Sequence, residues 1–399
     1  MTNRIDTTLS STAGLIQFNG GGVVHMVQTP SGVLYAIYLC SLSDVVYKKS
    51  TNGGLSWSAA VSVFAGTATA LSVWYDRWSN ISAGLIHLAY TESATDDTLY
   101  RTINTESSDA LSTQTVIFAG ASTAAQGNLS ITRAVGGNVY CKTVIDLGTE
   151  GGFYRLPNAN VPSGAWDAAR TVDEAIAASD QIFLQPDFDA ADTQDILAVF
   201  FDGSASELSR KLYDDSANTW AETSISTGIT GYGVGTAFPM YALAPDVGGT
   251  KSVLVAWNGV DAANADLKCW TVDSGAITAC TDVVTNGTDD QALAAIAIDT
   301  ATGYWHVFYV GKSDGSETWL TSVNIYTKVS TDGGTTWGPE TVVTNAPKTI
   351  KWLCTTPNFS SAFGLPAVMY HNDETATNDE ILVNVPLPRR RASHQLYGG

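Results

Sequence analysis

The chain has 399 residues, of which 44% are hydrophobic and only 15% are charged. Acidic residues outnumber basic residues 39 to 20, and the net charge of −19 disfavours binding to nucleic acid and to anionic membranes. No apolar run approaches the roughly 18 residues of a membrane-spanning helix, and the N-terminal segment lacks the basic start and apolar run of a signal peptide.

Short apolar, aromatic-rich runs recur along the chain at intervals of roughly 56 residues. A continuous apolar run of this length predicts a strand that is covered on both faces. The recurrence predicts seven repeats of one sheet unit, with six or eight as the error of the count. The seven runs are 34–39, 85–90, 139–145, 196–201, 253–257, 304–310 and 366–370.

Two related turn sequences follow alternating strands, STNGGLSW at 50–57 and STDGGTTW at 330–337. In each, Asn52 or Asp332 can accept hydrogen bonds from its own backbone, the glycine pair supplies positive φ, and the tryptophan opens the returning strand. Weaker copies end at Trp166 and Trp220, which fit the same period. The defining residues of the two strong copies are Ser50, Asn52, Gly54, Trp57, Ser330, Asp332, Gly334 and Trp337.

These turns resemble the Asp box, Ser-x-Asp-x-Gly-x-Thr-Trp, of the sialidase-like β-propellers (the BNR repeat). The first copy is degenerate, because Asn52 replaces the Asp and Ser56 replaces the Thr. The resemblance implies that each box joins the outer strands of a blade, away from the functional face. With the seven repeats, we predict an all-β fold, a single seven-bladed β-propeller closed by an N-terminal strand and followed by a short basic C-terminal tail.

The predicted organisation has an N-terminal arm at 1–12, a propeller at 13–385 and a docking tail at 386–399. Residues 13–18 are predicted to complete the last sheet and so to leave no free sheet edge. The predicted blades lie at about 21–65, 68–120, 128–175, 181–229, 236–287, 291–345 and 348–385 plus 13–18.

The resemblance also implies a test for sialidase chemistry, which needs three arginines on the substrate carboxylate, a Tyr–Glu nucleophile pair and an acid/base Asp. The nearest match to the family's first arginine motif is Arg-Ile-Asp at 4–6, which lacks the proline. Arg101, Arg155 and Arg210 recur at one place in the repeat, so we expect them to be solvated strand residues. The sequence therefore predicts that the sialidase catalytic set is absent.

Acidic residues follow the second strand of each repeat, on the face opposite the Asp boxes. Turn chemistry and solubility explain such residues most simply. Alternatives are a glycosidase acid/base pair drawn from Asp146 and Asp202, glycan contacts from Glu92 and Asp314, or a bound Ca²⁺-like cation, with no other cofactor expected. This carboxylate ring favours cations and neutral glycans over anionic sugars. The ring comprises Asp44, Glu92, Asp146, Asp202, Asp261, Asp314 and Asp373.

Two further clusters are candidates for chemistry. Tyr370, His371 and Asp373 lie together near the end of the last repeat and could abstract a proton, as a polysaccharide lyase requires. A strand end with a partly exposed histidine is the alternative. Trp74 and Trp78 could form a sugar-stacking platform, or they could pack between blades.

Cysteine usage leaves a question open. Cys269 and Cys280 flank a predicted hairpin turn symmetrically and would face each other. They could form a disulfide or remain reduced neighbours.

The function predicted is a non-enzymatic structural or binding propeller. Its composition is similar to that of phage virion proteins, so we expect a capsid- or tail-associated component that is made in a host cytoplasm, docks onto other subunits and can bind neutral surface glycans. A secreted or cell-surface protein is the alternative location. A glycosidase or lyase at the carboxylate ring, and a pure glycan-binding module, are the alternative functions. The docking residues expected in the tail are Arg389, Arg390, Arg391 and Tyr397.

Overall fold

A computed structural model describes residues 4–10, 24–40, 43–79, 84–120, 129–145, 150–172, 181–202, 205–227, 241–258, 266–285, 291–317, 322–344, 350–373 and 379–386. These residues are almost entirely strand and turn, and their helical segments are two 3₁₀ turns, Asn158–Asn160 and Ser361–Phe363. The predicted all-β class is confirmed.

The strands are numbered in chain order. The first seventeen are β1 (Arg4–Ser10), β2 (Val24–Gln28), β3 (Leu34–Leu39), β4 (Val45–Ser50), β5 (Val61–Phe64), β6 (Ala68–Tyr75), β7 (Leu85–Glu92), β8 (Thr98–Asn104), β9 (Ala110–Leu111), β10 (Thr115–Phe118), β11 (Leu129–Arg133), β12 (Val139–Ile145), β13 (Glu150–Leu156), β14 (Gln181–Pro186), β15 (Ile196–Asp202), β16 (Glu207–Asp214) and β17 (Thr219–Thr227). The others are β18 (Tyr241–Pro245), β19 (Ser252–Asn258), β20 (Asp266–Val272), β21 (Ile277–Ala279), β22 (Ala292–Asp299), β23 (Trp305–Val310), β24 (Ile325–Ser330), β25 (Thr341–Val342), β26 (Ile350–Thr355), β27 (Asn358–Phe359), β28 (Val368–Asp373) and β29 (Asp379–Pro386).

Seven antiparallel sheets form the blades of a β-propeller, as predicted. Blades 1 to 6 begin with the inner strands β2, β6, β11, β14, β18 and β22, and each continues outward in chain order. Blade 7 has the order β26-β28-β29-β1, and the short β27 pairs in parallel with β22 of blade 6. The second strand of each blade coincides with one of the seven predicted apolar runs, and β3 and β23 are buried along their whole length. Covering on both faces is why these runs are continuous rather than alternating.

The ring closes where β1 pairs antiparallel with β29, from Arg4 opposite Pro386 to Ser10 opposite Ile381. The closing strand therefore lies within the segment 1–12 that was predicted to be an arm. Residues 13–18, which were predicted to close the ring, lie outside the described residues. The sequence of β1, RIDTTLS, has only two apolar residues, Ile5 and Leu9, whereas the prediction followed the more apolar run 13–18.

The two strong turn motifs have the same skeleton. Gly334 N–H donates to Ser330 Oγ at 2.8 Å, and Thr336 N–H donates to Asp332 Oδ1 at 2.9 Å. The degenerate copy repeats both bonds, from Gly54 to Ser50 at 2.8 Å and from Ser56 to Asn52 at 3.0 Å. One bond is reversed in direction. Thr336 Oγ1 donates to Asp332 at 2.6 Å, whereas Asn52 Nδ2 donates to Ser56 Oγ at 2.8 Å. A hydroxyl serves either role, so Asn preserves the turn.

Tryptophans at the box position connect neighbouring blades. Trp166, Trp220 and Trp337 donate their indole N–H to the end of the preceding blade, at 3.3, 3.0 and 2.8 Å. The acceptors are Thr115 Oγ1, Thr171 O and Thr281 O. The repeated contact accounts for the spacing of these tryptophans in the sequence.

The repeated arginines also connect blades, and the prediction that they are solvated strand residues is wrong. Arg210 is 7% exposed and donates to the carbonyl of Asp273 in blade 5 at 2.6 Å. Arg155 of blade 3 forms an ion pair with Asp215 of blade 4 at 2.8 Å. Alternation along a strand predicts which face a side chain occupies, but it does not predict that the next blade supplies acceptors on that face.

Candidate functional site

The inner strands surround a cavity on the propeller axis, with a volume of about 160 Å³. Strand residues of blades 1, 2, 4, 5, 6 and 7 contribute to its lining, which is mainly apolar. The inner strands end on the side of the Asp boxes, and the residues after β6 line the cavity at that end. We call this space the axial cavity. Its lining includes His25, Trp74, Arg77, Trp78, Phe183 and Leu353.

Trp78 forms part of the closed end of the axial cavity. Its ring packs edge-on against Phe188 of blade 4, with ring centroids 5.5 Å apart. It also lies over Gly249 of blade 5, where an added Cβ would come within 2.6 Å of the indole. Gly249 adopts a φ of +58°, so both the backbone and the close approach require glycine. One tryptophan after β6 thus spans from blade 2 to blades 4 and 5.

A segment after β26 completes this closed end. Asn358 Nδ2 donates to the carbonyl of Pro245 in blade 5 at 2.8 Å. The next turn reaches blade 1, where Ser360 N–H donates to Gln28 Oε1 at 2.7 Å. Pro357 and Asn358 both line the axial cavity. The Asp-box end of the cavity is therefore held by side chains and backbone from five blades.

Arg77 brings a positive charge to the axial cavity. One of its terminal N–H groups donates to the carbonyl of Gln28 at 2.9 Å, and its guanidinium lies 5.7 Å from the centre of the Tyr75 ring. Burial lowers the pKa of this guanidinium. Among the described residues it has no carboxylate partner, and its Nε–H is buried without a hydrogen-bond acceptor. The Trp74 Nε1–H in the same lining is likewise buried without an acceptor there.

Arg133, the last residue of the inner strand β11, shows the contrast. Its guanidinium pairs with Asp76 at 2.5 Å, and both side chains are 1% exposed. It also donates to Gly137 O and Asn158 Oδ1, both at 2.9 Å. These contacts give Arg133 a structural role. The Nε–H of Arg77, in contrast, lies beside the cavity without an acceptor among the described residues.

A carboxylate near the closed end of the axial cavity is buried close to two other carboxylates. Asp187, which precedes Phe188, is 4% exposed. Burial, followed by the nearby Asp195 and Asp189 carboxylates, raises its pKa to about 6 against a backbone hydrogen bond from Asp189 that lowers it. The group is therefore largely ionised at neutral pH in a place that disfavours the charge.

The described members of the carboxylate ring accept hydrogen bonds from loop residues, in their own loops for Glu92, Asp202 and Asp314 and from the loop between blades 1 and 2 for Asp44. Asp44 accepts from Gly66 N–H at 2.9 Å, Asp202 from Ala205 N–H at 2.9 Å, and Glu92 from the Thr95 hydroxyl at 3.2 Å. Asp314 pairs with Lys312 and accepts from Ser316. Hydrogen bonds from these two side chains lower the pKa of Asp314 to about 2. Asp146 and Asp261 lie outside the described residues.

Although Tyr370, His371 and Asp373 lie close together in the sequence, this closeness does not bring their side chains into one pocket. All three belong to β28, and successive strand residues point to opposite faces. Tyr370 is 1% exposed and packs in the core between blades 6 and 7, and His371 is 2% exposed. The position of the Asp373 side chain is not among the described features. A solvent-facing Tyr–His pair does not form at this site.

Other predicted sites stay predictions. Arg389, Arg390, Arg391 and Tyr397 lie outside the described residues. Within the described ranges, no group of three or more His, Cys, Asp or Glu side chains is arranged to hold a metal ion. The described chain has no helix long and apolar enough to cross a membrane.

The sequence indicated only some of the residues that line the axial cavity. Trp74 and Trp78 were identified as a candidate platform, and both line the cavity. Arg77, which lies between them in the sequence, was not identified as a candidate. The two tryptophans bracket this arginine near the end of an inner strand, and that pattern could have indicated the axial cavity. His25, Phe183 and Leu353, in contrast, come together only when the ring closes.

Comparison with known proteins finds solved structures with a similar fold. No family model matches the chain, and no curated protein matches its sequence. An ulvan lyase of polysaccharide lyase family PL25 is similar over 95% of both chains, with 9% identity and a TM-score of 0.55. AofleA from Arthrobotrys oligospora covers 98% of this chain and 91% of its own, with 8% identity and a TM-score of 0.45. Trypanosoma rangeli sialidase, also at 8% and 0.45, is matched over 96% of this chain and 59% of its own.

At these identities the similarity concerns the fold, and function has to be argued from the site. The seven sheets, each built outward from an inner strand, and the closing strand β1 define that fold in this chain. The chain is a seven-bladed β-propeller.

Proposed function

We propose that this protein is a non-enzymatic, glycan-binding propeller that takes one sugar ring into the axial cavity. The observation that carries the proposal is the pair of buried, unused N–H donors, on Trp74 and Arg77, beside the aromatic ring of Trp78. Sugar recognition combines an aromatic face for the C–H surface of the ring with a few fixed hydrogen-bond donors for its oxygens.

The cost of the unused donors supports an occupant with oxygen acceptors. A buried donor without a partner costs about 1–3 kcal/mol, and a ligand hydroxyl or carboxylate that meets it recovers that cost. A bound sugar would also cover part of the apolar lining.

The size of the axial cavity favours a single ring. A volume near 160 Å³ is similar to the roughly 150 Å³ cavity that encloses one benzene molecule, and far below the roughly 300–1,000 Å³ of typical drug-sized sites. An oligosaccharide would therefore place a terminal residue in the axial cavity and leave the rest of the chain toward the loops.

The hydrolase or lyase alternative depends on free acid and base groups at the carboxylate ring. The described ring members Asp44, Glu92, Asp202 and Asp314 are engaged in hydrogen bonds with loop residues, and the low pKa of Asp314 makes it a poor proton donor at neutral pH. The fold similarity to an ulvan lyase does not transfer lyase chemistry to this chain. Binding without turnover is the function that the described groups support better.

An assembly role is the second part of the proposal and comes from the sequence alone. The tail at 386–399 concentrates three arginines against an acidic body. A basic peptide of this kind can dock onto an acidic groove or a sheet edge of another subunit. On this basis, and on the composition, the protein is proposed to be a virion component that presents its glycan-binding face outward.

The experiment is a glycan array on the full-length protein, followed by calorimetric titration of the glycans that bind. Trp74→Ala and Trp78→Ala are expected to lose those glycans, and Trp166→Phe, outside the cavity, is the matched control. Parallel incubations read turnover by product mass and by the ultraviolet absorbance of an unsaturated uronate. Release of product would contradict the non-enzymatic proposal, and binding unaffected by both tryptophan changes would contradict the cavity.

A further inference from the structure

Two cysteines face each other in the outer part of blade 5. Cys269 lies in β20 and Cys280 directly follows β21, so the two strands bring them opposite each other. Cys280 N–H donates to the Cys269 carbonyl at 2.9 Å, which fixes this register. Residues directly opposite across an antiparallel pair have Cβ atoms about 4.5–5.5 Å apart, close to the spacing of a disulfide.

The two thiols interact with each other unequally. The Cys269 thiol hydrogen-bonds to the Cys280 sulfur, and the Thr271 backbone N–H donates to that same sulfur. The bond with Cys269 lowers the pKa of Cys280, and the nearby Lys251 acts in the same direction. That same bond, together with burial, raises the pKa of Cys269. Asp282 lies near Cys269 and also raises its pKa.

Accessibility follows the same asymmetry. Cys269 is 1% exposed, whereas Cys280 is half-buried. Cys280 lies against the turn of the next blade, where a Cβ at Gly334 would come within 3.1 Å of its sulfur. Thr281 N–H donates to the Gly334 carbonyl at 3.0 Å. The pair therefore lies where blade 5 meets blade 6.

From this arrangement we propose that Cys280 and Cys269 form a peroxide-reactive dithiol, with Cys280 as the attacking thiol and Cys269 as the resolving thiol. A reactive thiol needs thiolate-stabilising donors and access, and a resolving thiol needs to be adjacent. Cys280 meets the first two conditions and Cys269 the third. The product is a disulfide that fixes β21 to β20.

The reaction balances with a hydroperoxide as oxidant. The Cys280 sulfur attacks one peroxide oxygen, the O–O bond breaks, and the leaving oxygen takes the thiol proton, which gives Cys280 sulfenic acid and water or an alcohol. The Cys269 sulfur then attacks the Cys280 sulfur, the S–S bond forms, the S–O bond breaks, and water leaves with the Cys269 proton. The two thiols lose two electrons, and the peroxide gains them.

Two other cysteines provide an internal contrast. Burial raises the pKa of the Cys141 and Cys354 thiols. Neither has a second cysteine among the partners described for it. Exposure of the same molecule to one oxidant therefore compares a dithiol with isolated thiols under identical conditions.

The test treats the full-length protein with hydrogen peroxide, blocks remaining thiols with N-ethylmaleimide and maps tryptic peptides without reduction. No Lys or Arg separates Lys268 from Lys312, so both cysteines fall in one peptide. That peptide is expected to become lighter by two hydrogens and to carry no label. In the untreated protein, Cys280 is expected to be alkylated about tenfold faster than Cys354.

Two variants assign the roles. Cys269→Ser is expected to trap a dimedone adduct on Cys280, whereas Cys280→Ser is expected to leave Cys269 unlabelled. Equal melting temperatures of the variants and the wild type establish that both are folded, and the wild-type peptide map remains decisive if either is not. Labelling of Cys269 in Cys280→Ser, or a wild-type peptide that keeps both thiols while Cys354 is oxidised, would overturn the proposal.

Discussion

The two ends of the propeller axis differ in how their polar groups are used. At the carboxylate ring, Asp202 and Asp314 accept hydrogen bonds from their own loops, and Asp44 accepts one from Gly66 in the loop between blades 1 and 2. At the closed end of the axial cavity, Arg77 and Trp74 keep buried donors without acceptors among the described residues. The sequence drew attention to the carboxylates because they repeat, but repetition here reflects turn formation. Arg77 and Trp74 belong to no repeated pattern, and they combine unused donors with a place in the cavity lining.

The pKa values of two carboxylates show the same difference. Hydrogen bonds lower the pKa of the exposed Asp314 to about 2, whereas burial raises that of Asp187 to about 6. A group stabilised in its charged form contributes to folding, and a charged group in a disfavouring site opposes it. The ionised Asp187 near the closed end therefore lowers the stability of the fold at neutral pH, whereas the ionised Asp314 in the carboxylate ring raises it.

The largest expected effect comes from removing the aromatic wall. Trp78→Ala should weaken glycan binding about 30-fold, equivalent to the roughly 2 kcal/mol of a buried aromatic hot spot. Trp78→Phe should retain much of the binding, because a ring still covers the sugar. Isothermal titration measures both, with Trp166→Phe as control. An unchanged affinity in Trp78→Ala would move the site away from the axial cavity.

The next effect tests the unused donor. Arg77→Lys keeps the charge but removes the Nε–H, so we expect about tenfold weaker binding from the loss of one charge-assisted hydrogen bond. Arg101→Lys is the matched change, because Arg101 donates to Val63 of blade 1 and to Ser112 of its own blade and does not line the cavity. If both substitutions weaken binding equally, the effect is structural and Arg77 has no special part in recognition.

A smaller effect concerns stability near the closed end. The folded-state pKa of Asp187, about 6, lies above the ordinary carboxyl value of about 4, so stability should fall as the pH rises from about 4 to about 6. Asp187→Asn should remove part of that fall and raise the free energy of unfolding at pH 7 by about 1 kcal/mol, after allowance for screening. Chemical unfolding at a series of pH values measures it. Parallel curves for the two proteins would contradict the assignment.

The smallest effect is expected at the carboxylate ring. Asp314→Asn should change glycan affinity by less than about twofold, within the usual range for exposed positions. Its depressed pKa means that the carboxylate stabilises the fold above the unfolded-state pKa and stops doing so as the pH falls through about 2. The variant and the wild type should therefore converge in stability at low pH. A large loss of affinity would place the glycan at the carboxylate ring instead.

The fold was largely predictable because local signals agreed with each other. Apolar runs located the second strand of every blade, and the turns at Ser50 and Ser330 located the outer hairpins. The closing strand was misplaced because β1 has a weaker apolar signal than 13–18. Tyr370 and His371 illustrate the opposite limit, since adjacent residues on a strand point to different faces.

The candidate site was less predictable because it is assembled across the ring. Trp78 meets Phe188 and Gly249, which lie 110 or more residues later in the sequence. Hydrophobic periodicity gives the face of each strand, but not which blades meet on the axis. That information appears only when all seven sheets are in place.

The most direct test of the account is a crystal or cryo-electron-microscopy structure of the full-length protein with a glycan selected on the array. The account predicts density for one sugar ring beside Trp74 and Trp78, with an oxygen within hydrogen-bonding distance of Arg77 Nε. Density for the glycan at the Asp44, Asp202 or Asp314 loops, with the axial cavity unchanged, would contradict it.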